Sequence, residues 1–67
     1  MSAITMRAFG MVKVLDCAWT VAAVRKAVCT ELRLDSAPNV TLGTRAGVVA
    51  HVDAHGDLLV VHVAREK

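Results

Sequence analysis

No apolar run in this 67-residue chain approaches the roughly 20 residues needed to cross a bilayer. The uncharged stretch from Cys17 to Val24 is short and carries Trp19 and Thr20 in its middle. A secretory leader is not expected, because Arg7 is followed only by Ala8 to Val12 before Lys13 interrupts. Together these features predict an intracellular, cytoplasmic protein with no membrane segment. Cysteine is scarce. Cys17 and Cys29 are too few for the disulfide framework of small secreted domains, and no zinc-ligand spacing is present. Both are expected to pack as small, partly buried hydrophobes. Basic residues form no cluster: Arg7, Lys13, Arg25, Lys26, Arg33, Arg45, Arg65 and Lys67 are spread along the chain. With a net charge of only +2, this scatter argues against a nucleic-acid surface. There is no Gly-rich phosphate loop, since Gly43 and Gly47 flank only Thr44-Arg45-Ala46. Repeats, linkers and low-complexity stretches are also missing.

What the chain does contain is apolar. Hydrophobic residues make up 55%, slightly above the ~45–50% usual for soluble chains. That argues against disorder and suggests that some apolar surface stays outside to meet a partner. The length accommodates one domain over residues 1–67 and no second.

The first segment, Ile4 to Phe9, alternates with period two: Ile4, Met6 and Ala8 against Thr5, Arg7 and Phe9. Beyond Gly10, Met11 to Asp16 resumes, with Val12 and Val14 on one side and Met11, Lys13 and Leu15 on the other. The two runs predict a hairpin. The period then changes. Val21, Val24, Val28 and Leu32 form one helical stripe, Thr20 is placed to cap it, and Trp19 and Val24 are spaced as a hydrophobic staple. Asp35 to Asn39, with Pro38, ends the helix, and Arg33 suits its negative C-terminus. Val40 to Leu42 is a short strand candidate.

The runs Val48 to Asp53 and Leu58 to Val63 predict a second hairpin. With His55 and Gly56 as a two-residue turn, Val52 pairs with Leu59 and Val49 with His62. Val48, Ala50, Val52, Leu59, Val61 and Val63 then form an apolar inner face. The outer face holds Val49, His51, Asp53, Leu58, Val60 and His62. A one-residue slip would bring polar side chains opposite core residues, so pattern and turn agree on this register. His at the first turn position is less suited than Asn or Asp, which leaves a longer loop open.

Strand, strand, helix and two or three further strands, at this length, resemble the β-grasp or ubiquitin-like fold. The resemblance is carried by the alternating strand Ile4 to Ala8, the second strand Val12 to Asp16, and Trp19-Thr20-Val21 opening the helix. Gly56-Asp57-Leu58-Leu59-Val60-Val61 is similar to the Gly-Asp-x-x-x-Val run that introduces the last strand of that family. The resemblance implies an α+β fold with a mixed sheet, its last strand returning to the middle beside the first. Sulfur carriers and conjugated modifiers of the family end in Gly-Gly. This sequence ends Val63-Ala64-Arg65-Glu66-Lys67, so the resemblance implies binding without thiocarboxylate or conjugation chemistry. Fold alone does not choose the partner.

Chemical candidates are sparse. His51, Asp53 and His55 alternate, with His62 a neighbour across the expected pair, but zinc wants ligands converging from different elements. Neither a metal nor a cofactor is expected. Ser2 and Ser36 lack a strand-to-helix elbow, and the histidines lack a partner nucleophile, so no catalytic residues are expected. The expected function is a non-catalytic protein–protein interaction module, binding a partner or itself to form a homo-oligomer through the helix-free sheet face. Val49, His51, Leu58, Val60 and His62 are its expected contact residues, with Met11, Leu15 and Phe9 extending the patch. Two alternatives stand beside it. One is a small SH3-like, RNA-associated module built on Gly43 to Val63; the other is a small enzyme with a site between subunits.

Overall fold

In the computed structural model, which describes residues 3–66, the opening alternation becomes a hairpin. β1 (Ala3–Ala8) pairs antiparallel with β2 (Met11–Leu15), Ile4 opposite Leu15 and Ala8 opposite Met11. Only Phe9 and Gly10 lie between them, with φ of 54° and 72°. Positive φ at both central positions marks a type I′ turn, whose twist matches that of the paired strands. Gly10 adopts this conformation freely, whereas Phe9 carries a side chain there and holds it out to solvent.

The helix α1 (Val21–Leu32) begins where the sequence places its cap. Thr20 is extended, and its Oγ1 accepts from the Ala23 amide at 3.1 Å. Trp19 packs against the core, and its Nε1 donates to the Gly43 carbonyl at 2.9 Å. The helix stops at Arg33, which is left-handed (φ 54°, ψ 51°). The Leu34 amide then reaches back to the Cys29 carbonyl at 3.0 Å, the wrap of a Schellman motif. Arg33 thus serves as a backbone terminator just past the last turn. Val24 and Val28 are completely buried and Leu32 partly so, while Val21, at the first turn, is left exposed.

Three strands follow: β3 (Asn39–Leu42), β4 (Ala46–Val52) and β5 (Leu58–Glu66). The sheet order is β2-β1-β5-β4-β3, and every neighbouring pair is antiparallel. The fold is therefore α+β, with one helix over a five-stranded antiparallel sheet. The mixed sheet implied by the resemblance is corrected here, because β5 lies beside β1 but runs against it. The order is open, with β2 and β3 at the edges, so Gly43 to Val63 forms no SH3-like barrel. Alternating directions make the two edge strands run the same way. α1 joins them across one side of the sheet, burying Val24 and Val28 against Ile4, Met6, Val61 and Val63.

The β4–β5 register differs from expectation by one residue. Val49 faces Val61 and Val52 faces Leu58, where a two-residue turn would pair Val52 with Leu59. The cause is the loop. Gly56, at φ 83°, donates its amide to the Asp53 carbonyl, and the Asp53 amide donates to the Asp57 carbonyl. Asp53 Oδ1 accepts from the amides of His55 and Asp57 at 2.8 and 2.9 Å. This is a three-residue loop, Ala54-His55-Gly56, in which a type I turn is followed by a left-handed glycine. One extra loop residue reverses every side chain of β4 relative to β5. Val49 and His51 point to the helix, while Val48 and Val52 point away.

Candidate functional site

The corrected register splits the expected contact residues between the two sides of the sheet. Val49 (1% exposed) and His51 (6%) lie under the helix and cannot contact a partner on the opposite side. Leu58 (65%), Val60 (42%) and the exposed His62 do face the helix-free side. Of the proposed extension, Leu15 is buried, Met11 stands opposite buried Ala8, and Phe9 projects from the turn. The side chains that enlarge the face are those alternating with them, Val12 and Val14. The period-two pattern of Met11 to Leu15 already held that assignment.

Cross-strand pairing arranges this face in rows. Val14, Thr5, Ala64 and Ala46 form the first, and Val12, Arg7, His62, Val48 and Thr41 the second. Val60, Ala50 and Asn39 follow, then Leu58 and Val52. Val12, Val14, Val48, Val52, Leu58 and Val60 all keep substantial exposure. Five strands about 4.8 Å apart, four rows deep, make a face on the order of 500 Å² in projection. A patch of that order is comparable to the largest on a typical monomer and is often functional. An open depression of about 450 Å³ runs along it, lined by Thr5, Arg7, Val48, His62 and the small residues Ala46 and Gly47.

The helix side carries the chemistry that the sequence left unplaced. His51 Nε2 lies 2.9 Å from Asp35 Oδ1 and 3.2 Å from Ser36 Oγ. A carboxylate only accepts, so Nε2 must carry the hydrogen and donate it to Asp35. That nitrogen has then no lone pair with which to take a proton from Ser36. A hydrolytic relay needs the acid and the hydroxyl on opposite ring nitrogens, and here they share one. The cluster is a latch that fastens the α1–β3 connection to β4. Arg25 Nε strengthens the same fastening by donating to the Pro38 carbonyl at 2.9 Å. His51 and His62, expected as neighbours, stand on opposite sides of the sheet. Cys17 is partly buried beside Asp16; burial first, and the neighbouring negative charge second, push its thiol above the ordinary range.

No helix among the described residues is long and apolar enough to cross a membrane. No protein-family model matches this chain, and neither a curated protein nor a solved structure gives a match.

Proposed function

We propose that this chain is a non-catalytic protein–protein interaction module that binds a partner, or a second copy of itself, through the helix-free side of its sheet. The observation that carries the reading is the set of six large aliphatic side chains exposed on that side. Their strands support it independently. Ala-Gly-Val-Val-Ala-His-Val in β4 and Leu-Leu-Val-Val-His-Val-Ala in β5 are near-continuous apolar runs, the pattern of strands covered on both faces. A ubiquitin-like relationship is part of the proposal on strand order alone, since β5 sits centrally beside β1; the wholly antiparallel pairing departs from it. The intracellular, cytoplasmic setting expected from the sequence belongs to the same proposal.

Val60 and Val61 are adjacent in sequence and face opposite ways, which makes them the test. The wild type should either self-associate in light scattering across a concentration series or, as a monomer, bind an apolar dye such as anilinonaphthalene sulfonate. Val60→Asp should remove whichever response is seen and leave the thermal melt in place. Val61→Asp, which places a charge in the core, should unfold the chain. The reading fails if Val60→Asp also unfolds it, or if both responses survive that substitution.

A further inference from the structure

We propose that the occupant of the helix-free face is a different protein whose apolar surface carries a carboxylate, seated over Arg7; this rests on the interaction reading above. Arg7 is in the second row of the face, with Val12 on one side and His62 on the other. Among the described residues it makes no ion pair. The helix-covered side of the same sheet shows how such a cation is accommodated. There Lys13, on the edge strand β2 opposite Met6, meets Glu31 of α1 at 2.9 Å in a part-exposed pair. Arg7 is its counterpart on the other side, without a corresponding acid. Covering the face strips water from the guanidinium, and a desolvated cation without a counter-charge is strongly unfavourable.

A second copy of the chain does not supply that counter-charge while covering the face. Symmetric dimers bring the same surface to both sides of the interface. The outward strand positions with described side chains are aliphatic or neutral polar apart from Arg7 and His62. A copy centred on the face covers its rows but sets Arg7 over the Val60–Ala50 row. Asp53 and Asp57 are no substitute: they lie in the loop beyond the outward Val52–Leu58 pair, and Asp53 Oδ1 is taken up by the amides of His55 and Asp57. Size agrees with this choice. About 500 Å² per side gives roughly 1,000 Å² in total, the lower limit of specific interfaces and well below obligate dimers.

The test is a displayed library of random 16-residue peptides, panned against the wild type, Arg7→Glu and Val60→Asp, with each variant's fold checked by its melt. Wild-type binders should be apolar and enriched in Asp or Glu, and Arg7→Glu should exchange that preference for Lys or Arg. Individual wild-type binders should lose roughly tenfold or more in affinity to Arg7→Glu, the scale of a desolvated charge pair. Val60→Asp should bind neither pool. The inference is overturned if the pools show no change in charge preference, or if no peptide binds the folded wild type. It is also overturned if Val60→Asp disrupts only a homodimer, anionic-vesicle binding or RNA binding; those outcomes leave the face functional but give it another occupant. If Val60→Asp changes no association at all, the interaction reading itself falls.

Discussion

His51 is the only buried polar residue in the described core, and its single hydrogen-bonding nitrogen holds the chain that leaves the helix. Replacing it by alanine removes packed volume and leaves Asp35 and Ser36 without their anchor. We expect a loss of about 2 kcal/mol in a denaturant titration, the scale of a buried polar deletion with its cavity. Asp35→Asn should cost less than about 1 kcal/mol, because that carboxylate is more than half exposed. Equal effects from the two changes would show that the His51–Asp35 hydrogen bond, not the packing, carries the latch. Cys17 offers a second residue-level check. Its raised pKa means less thiolate near neutrality, so iodoacetamide should react slowly in a Cys29→Ser background and accelerate only well into alkaline pH. Asp16→Asn, which removes the neighbouring negative charge, should speed that reaction at fixed pH.

The loop between β4 and β5 decides more than any single side chain. Deleting Ala54 would leave His55 and Gly56 as a two-residue turn and draw the pairing into the register that such a turn sets, Val52 opposite Leu59. Val48, Ala50 and Val52 would then be driven toward α1, and Val49 and His51 outward, against a core shaped for the reverse. We expect the deletion to abolish the cooperative thermal melt, while Ala54→Ser leaves it nearly unchanged. A folded deletion variant would mean that β4 tolerates either face. The same element shows what the sequence made legible. The helix cap at Thr20, the stripe Val24 and Val28, and the inward set of β1 followed from periodicity, because each pattern had only one apolar side. β4 had two. With valine or alanine on both faces, its alternation could not choose a register. The choice fell to an Asp53 side chain gathering two amides and a left-handed Gly56, features of turn geometry that hydropathy does not encode. The contact residues Val49 and His51 were misplaced for that reason, whereas Leu58, Val60 and His62 faced as expected, because the extra loop residue turns over β4 and leaves Val61 and Val63 of β5 inward.

At the scale of the molecule, a sheet with one helix has one side finished and one side open. The finished side joins both edge strands through α1, so the connection that completes the core also fixes the sheet's width. The pairing of β1 with β5 brings Ala3 opposite Glu66 at one end of the central strands. Adjacent strands lie only about 5 Å apart, so a linker of a few residues could join those positions without disturbing the sheet. Circularly permuted chains opened at the exposed Phe9–Gly10 turn, which leaves the Asp53 loop intact, should therefore fold, with a far-ultraviolet spectrum like that of the parent. By the same geometry, this unit could be spliced into a host protein's surface loop as a self-contained insert, entering and leaving through neighbouring points.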